Sequence, residues 1–140
     1  MSVAQSWQHS RTAQFSARRE PSGTLFTIDG ELDAANADQF AAYVQGSVTR
    51  SKRVILDMRG LEFIGTAGFS VLHRINVACS AAQVSWAMVP SAAVSRLLRV
   101  CDPDGTLPTV TPADEPLLKP VSWATSEASR PLLQLVPQSR

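Results

Sequence analysis

One stretch, VILDMRGLEFIGTAGFSVL, changes from a strand pattern to a helix pattern within a few residues. It opens on Val54, Ile55 and Leu56, and three consecutive apolar residues are typical of a strand buried on both faces of a sheet. It closes on a segment with helical spacing that begins at Phe69. A doubly covered strand that continues directly into a helix predicts a sheet with helices packed against it.

The other segments alternate between the same two patterns. Residues 14–20 and 24–30 flank the turn signal Pro-Ser-Gly and predict a hairpin, and residues 52–58, 83–89 and 106–110 predict further strands. The predicted fold class is therefore α/β, with a mixed, mainly parallel sheet of four to five strands and helices mostly on one face. Helical spacing predicts three buried faces: Ala37, Phe40, Ala41, Val44 and Val48; Phe69, Leu72, Ile75 and Cys79; and Val94, Leu97, Leu98 and Cys101.

The 140 residues fit one domain with flanking segments. Residues 1–13 are predicted to be a flexible N-terminus, and residues 14–110 the folded domain. Residues 111–140 contain five prolines and are predicted to be a mostly irregular tail. Trp123 and the segment LLQLV are apolar enough for part of this tail to fold back onto the domain.

Composition and motifs exclude several classes of function. A net charge of +1 favours neither nucleic acid nor anionic lipid as a partner. No apolar run approaches the roughly 20 residues that cross a bilayer, and the polar N-terminus predicts no signal peptide, so we expect a cytoplasmic protein without membrane insertion. Cys79 and Cys101 form no metal or redox motif, and two reduced thiols are expected. No nucleophile elbow or P-loop is present, and we expect neither enzymatic activity nor a cofactor.

The junction Gly65-Thr66-Ala67-Gly68 places one hydroxyl among small residues where a helix begins. One interpretation is structural, because a Thr side chain can cap the free amides of a helix start. The other is functional, since a hydroxyl at the positive end of a helix is a tolerable place for a phosphate.

Four stretches, in order and spacing, resemble the STAS domain family, and within it the anti-sigma factor antagonists of bacterial partner-switching systems. They are GELDAANADQF (residues 30–40), the strand-to-helix stretch (54–72), VPSAAVSRLLRV (89–100) and DPDGTLPTV (102–110). The resemblance implies a non-catalytic protein that binds an anti-sigma factor, which is also an ATP-dependent serine kinase, and so frees a sigma factor. It also implies phosphorylation at the start of the second helix, which ends binding, and a phosphatase that reverses it.

Thr66 falls on the family's phosphoacceptor position, where the family reads Asp-Ser and this chain reads Gly65-Thr66. The loop that contains Asp33 and Asn36 is expected on the same rim of the sheet as Thr66. Both residues are expected to cap the following helix, and contact with a partner is their second expected role. An alternative with the same fold is a regulatory subunit of a membrane transporter or a scaffold of a signalling assembly, and an enzyme or small-ligand protein ranks last. The predicted partner-binding residues are Asp33, Asn36, Gly65, Thr66, Ala67, Gly68, Ser70, His73 and Arg74.

Overall fold

The computed structural model describes the backbone of Ala4–His9 and the whole of residues 12–118. Among these residues, no helix is both long and apolar enough to cross a membrane. The elements are strands β1 (Ala4–His9), β2 (Ala13–Glu20), β3 (Gly23–Leu32), β4 (Arg53–Ile64) and β5 (Ser85–Val89), helices α1 (Ala37–Val48), α2 (Thr66–Ala82) and α3 (Ala92–Cys101), and two 3-10 turns at Pro112–Asp114 and Pro116–Leu118.

The five strands form one mixed sheet in the order β1-β2-β3-β4-β5. The β1–β2 and β2–β3 pairs are antiparallel, whereas β3–β4 and β4–β5 are parallel. Helix α1 connects β3 to β4, and α2 connects β4 to β5, as parallel neighbours require. The predicted α/β class, the hairpin and the four-to-five-stranded mixed sheet are therefore confirmed.

All three helices pack on one face of the sheet. The predicted buried face of α1 is confirmed in full, and the rings of Phe15 and Phe40 meet edge to face with centroids 5.1 Å apart. In α3 only Val94 is fully buried, while Leu97 and Leu98 pack partly against the core. The core on this face is consequently built mainly from the sheet, α1 and α2.

Cys79 of α2 lies in this core with no exposed surface, and its burial raises the pKa of its thiol from 9.0 to about 11. The folded chain therefore holds this proton in a pH range where the unfolded chain releases it. We expect the free energy of unfolding to fall as the pH rises from about 9 to about 11, by about 1 kcal/mol or more. Urea unfolding at about pH 8 and about pH 10.5 measures this loss. The Cys79→Ala variant lacks the thiol, and an equal loss in that variant would contradict the assignment.

Among the described residues, no α-helix packs on the opposite face of the sheet, which is called the helix-free face below. Leu25, Ile55 and Ala87 lie on it and form a second apolar cluster with Leu117, which comes from the second 3-10 turn. The segment formed by the two turns, residues 112–118, is called the C-terminal strap below. The strap lies beyond residue 110, where the folded domain is predicted to end, and it covers apolar surface of the sheet that would otherwise face water.

Three other predictions differ from the structure. Ala4–His9, expected to be loose, forms an edge strand whose backbone pairs with β2, and pairing of this kind depends little on side-chain type. The strand predicted to end at Met58 continues to Ile64. The predicted last strand is reduced to one parallel bridge between Met88 and Thr109, because Pro108 lacks the amide that a longer ladder would need. Residues 119–140, including Trp123, lie outside the described residues.

Candidate functional site

The carboxyl ends of β3 and β4 form one rim of the sheet. Leu32 of β3 is paired with Ile64 of β4, so the residues that follow them, Asp33 and Gly65, enter the rim side by side. The amide of Gly65 donates to the carbonyl of Leu32 at 2.9 Å and fixes the two loops to each other. The structure therefore brings together the two loops that the sequence analysis placed on one rim.

Helix α2 starts at the centre of this rim. Gly65 is its N-cap residue, and the Gly65 carbonyl accepts the amides of Gly68 and Phe69 at 2.9 and 3.3 Å. Thr66 is the first residue of the helix, where the predicted fold places it. Its side chain is exposed, and no side chain makes a capping bond at this helix start. The interpretation of Thr66 as the helix cap is therefore wrong.

Gly68 is buried beneath Thr66 and allows α2 to approach the sheet. A Cβ at this position would lie 2.4 Å from Cγ1 of Ile64 and 3.3 Å from Cδ2 of Leu32. The residue therefore shapes the rim from below and offers a partner no direct contact. Gly65 and Ala67 are half-buried and border the Thr66 hydroxyl at the surface.

Asn36 is 1% exposed and organises the loop between β3 and α1. Its side-chain amide donates to the carbonyl of Glu31 at 2.8 Å and to Oγ1 of Thr12 at 3.1 Å, and its Oδ1 accepts the amide of Asp33 at 3.0 Å. A side chain held in this way is not available to a partner. Asp33, which is half-buried, is the residue of this pair that reaches the surface.

The exposed side of α2 carries the remaining predicted contacts. Ser70 and His73 are exposed, and Arg74 pairs with Asp38 of α1 at 2.8 Å. Both members of this ion pair are well exposed, so it orients the arginine more than it stabilises the fold. Ser70 donates to the carbonyl of Thr66 at 3.4 Å. Ser70 thus lies beside the phosphoacceptor candidate, already within the helix.

The electrostatics of the helix start favour a negative group. The first turn of α2 contains no acidic residue. The free amides and the positive end of the helix dipole are therefore not compensated by an acidic side chain of the first turn. A phosphate on Thr66 would be placed where a helix stabilises added negative charge.

Asp57, near the middle of β4, serves the fold. It is 8% exposed, and Arg59 contacts both of its carboxylate oxygens at 2.9 and 3.0 Å. Because these bonds favour the charged guanidinium, they raise the pKa of Arg59 above its ordinary value.

An exposed apolar surface beside the rim was missed by the sequence analysis. Phe63 is 50% exposed, and a Cβ on Gly65 would lie 3.6 Å from its ring. Two irregularities in the β3–β4 ladder break the alternation of inward and outward side chains, and Phe63 ends up opposite the exposed Glu31. A shallow cleft runs from this ring to α3 and is lined by Glu62, Phe63, Ile64, Ala93, Arg96 and Leu97.

Comparison with known proteins decides the family. The sequence model of the STAS domain matches residues 14–111, which is well over half of the chain. The chain belongs to the STAS domain family. The chain is also similar to the curated protein osmosensory protein A of Mycobacterium tuberculosis, with 38% identity over 82 residues. That alignment covers 59% of this chain and 52% of the relative, so the match spans about half of the relative's length.

Solved structures with the same fold include three described as anti-sigma factor antagonists. The antagonist SpoIIAA in its unphosphorylated form superposes with a TM-score of 0.58 at 16% identity, covering 69% of this chain and 88% of that one. An antagonist from Mycobacterium paratuberculosis gives 0.56 at 18% identity, covering 70% and 85%. A putative antagonist from Thermotoga maritima gives 0.57 at 20% identity, covering 68% and 84%. At these identities the likeness establishes the STAS fold.

Proposed function

We propose that this chain is an anti-sigma factor antagonist. It binds an anti-sigma factor that is also a serine kinase, and thereby frees a sigma factor for transcription. Phosphorylation of Thr66 ends the binding, and a phosphatase restores it. The observation that carries the proposal is the Thr66 hydroxyl, exposed at the first position of α2 and free of any capping role.

The surface around Thr66 suits a reversible protein partner. Gly65 and Ala67 leave the hydroxyl open to a kinase, and the exposed ring of Phe63 offers an apolar anchor close by. Aromatic residues of this kind carry a large share of binding energy at interfaces. A phosphate at the centre of such a contact adds a charge of about −1.5 to −2, which the apolar surroundings do not neutralise.

Gly65 occupies the position where the family carries an acidic residue. A carboxylate there would orient the hydroxyl for the kinase or accept its proton. Its absence predicts slow phosphorylation of this chain, without an equivalent effect on partner binding. The name of the curated relative, osmosensory protein A, makes osmotic stress the first upstream condition to test.

Substitutions at Thr66 test the switch. Thr66→Ala should bind the anti-sigma factor with wild-type affinity, because the contact depends on the small residues and not on the hydroxyl. Thr66→Glu should weaken binding at least tenfold, or about 1.4 kcal/mol, since it places an unpaired charge in the interface. Isothermal titration of both variants with the purified anti-sigma factor measures this difference.

Incubation with the anti-sigma factor and ATP, followed by mass spectrometry, completes the test. Phosphate on Thr66 in the wild type, none in Thr66→Ala, and loss of binding after labelling would support the full switch. Binding without labelling would limit the function to constitutive antagonism. If Thr66→Glu bound as tightly as the wild type, the rim would not be the interface.

The apolar anchor has a matched control on α2. Phe63 and Val77 are large apolar residues with exposures of 50% and 54%, and Val77 lies in α2 several turns beyond Thr66. Phe63→Ala should weaken binding of the anti-sigma factor at least tenfold, as expected for an interface hot spot. Val77→Ala should leave the affinity within about twofold. Equal effects of the two substitutions would remove the rim from the contact surface.

A further inference from the structure

The helix-free face of the sheet carries an apolar row that runs across three strands. Leu25 pairs with Ile55, and Ile55 pairs with Ala87, so the three side chains lie next to one another. Arg18 of β2 extends the row, because it pairs with Leu25. The C-terminal strap covers the row, and Leu117 of the strap is 4% exposed against it.

A carboxylate site adjoins this row. Glu115 of the strap has no exposed surface, and its two carboxylate oxygens lie 2.7 and 2.8 Å from Nη1 of Arg53. The amide of Leu117 donates to the same carboxylate at 3.0 Å. A carboxylate is buried to this degree only when a charged partner and hydrogen bonds replace the water that it loses.

The strap is also recognised through its backbone. The guanidinium of Arg18 donates to the carbonyl of Leu117. Gly23 provides the space below, because a Cβ there would lie 3.1 Å from Cδ1 of Leu117. Glu115 of the strap thus meets the guanidinium of Arg53, while Leu117 meets the apolar row with its side chain and accepts a hydrogen bond from Arg18 with its carbonyl.

We propose that this helix-free face is a second docking site, separate from the rim around Thr66. Its occupant is a segment of a partner protein with a carboxylate two residues before a leucine. The C-terminal strap has this pattern and acts as a tethered competitor for the site. The proposal depends on the contacts of the strap and not on the function assigned to Thr66.

The charges of the face favour an acidic segment over a second copy of the same face. Arg18 is already paired with Glu20 at 2.6 Å, so Arg53 is the arginine of this face that needs a carboxylate, and a symmetric face-to-face dimer would add a second Arg53 to the contact and no unpaired carboxylate. An acidic segment instead supplies the charge that Arg53 pairs with in the strap. Arg53 remains 34% exposed, which leaves a path for an incoming carboxylate.

The strap is short enough to be displaced. It contains two 3-10 turns of three residues each, and its buried anchors are Glu115 and Leu117. A tethered segment of this kind acts at an effective concentration on the order of millimolar. A partner segment at a lower concentration therefore has to bind the face with a higher affinity than the strap does in order to displace it. Arg53 lies at the beginning of β4, whereas Thr66 follows its end. Both sites can therefore be occupied at once, as in a scaffold.

The test uses the full chain with Glu115→Gln and Leu117→Ala, the strap-open variant, and a fluorescein-labelled peptide of residues 111–118, TPADEPLL. Fluorescence anisotropy should show at least tenfold tighter peptide binding to the strap-open variant than to the wild type. Adding Arg53→Glu to the strap-open variant should abolish binding of this peptide. The same peptide with lysine in place of Glu115 should bind the strap-open variant that also carries Arg53→Glu. It should not bind the strap-open variant in which Arg53 is kept.

Any of three results would overturn the proposal. The first is equal peptide binding by the wild type and the strap-open variant, and the second is peptide binding that neither charge reversal changes. The third is dimerisation of the strap-open variant in sedimentation velocity without peptide, because the uncovered face would then take a second copy. If the double substitution prevents folding, the single Glu115→Gln variant gives the same comparison, since it removes the charge and keeps the shape.

Discussion

Gly68→Val should destabilise the domain by about 3 kcal/mol and lower its melting temperature by roughly 10 °C or more. The Cβ alone would lie 2.4 Å from Cγ1 of Ile64. Ile64 and Leu32 are both buried, so neither side chain can move away without disturbing the packing below the rim. Relief of the clash requires α2 to move away from the sheet, and differential scanning calorimetry measures the consequence.

Gly65→Val is the matched control three residues earlier. A Cβ on Gly65 would meet only the ring of Phe63, at ordinary contact distances of 3.6 and 3.8 Å. Its backbone is extended, with φ of −91° and ψ of −180°, so a side chain introduces no strain. We expect a loss below about 1 kcal/mol, the effect of a poorer helix cap. A similar loss in both variants would show that the close approach at Gly68 does not control the position of α2.

The strand-to-helix core of the fold was predictable because its signals are local. Val54, Ile55 and Leu56 in sequence indicate a doubly covered strand, and the structure buries all three completely. The spacing of apolar residues in α1 predicts its buried residues correctly, because a single face of this helix packs against the sheet. Ser91 directly precedes α3, and its Oγ accepts the amide of Val94 at 3.2 Å, which is the bond that a serine at a helix start favours.

The rim was predicted in position and only partly in detail. Thr66 is at the start of α2 as expected, yet the N-cap is Gly65. Asn36 was assigned a possible contact with a partner, whereas its hydrogen bonds to Thr12 and Glu31 bury it. The bond to Thr12 joins residues 24 positions apart, and it helps to decide that Asn36 is buried while Asp33 reaches the surface. The periodicity of the sequence gives no sign of such a bond.

Features that depend on long-range packing had no local signal. Phe63 is exposed because of irregular pairing with a strand some 30 residues earlier, which alternation within β4 cannot reveal. The C-terminal strap is rich in proline and acidic residues and resembles a disordered tail in composition. It is ordered by Arg18 and Arg53, from strands far earlier in the chain.

Removal of the strap should have a comparably large effect. A chain ending at residue 110 should lose about 3 kcal/mol of unfolding free energy relative to one ending at residue 118, because the burial of Leu117 is lost and the apolar row beneath it becomes exposed. The expected fall in melting temperature is again roughly 10 °C, measured by calorimetry or by chemical unfolding. Equal stability of the two chains would mean that the strap adds nothing to the fold.

Arg53→Met separates the ion pair from the rest of the strap. In a rigid structure, removal of Arg53 would leave the buried Glu115 unpaired at a cost of about 3–5 kcal/mol. The strap can detach instead of leaving Glu115 buried and unpaired. In the chain ending at residue 118, Arg53→Met should therefore lower the free energy of unfolding by no more than the docking free energy of the strap. In the chain ending at residue 110 the same substitution should cost less than about 0.5 kcal/mol, because Glu115 is gone. Additive losses in this double-mutant cycle would show that Arg53 stabilises the sheet by other contacts and that the strap is not held through it.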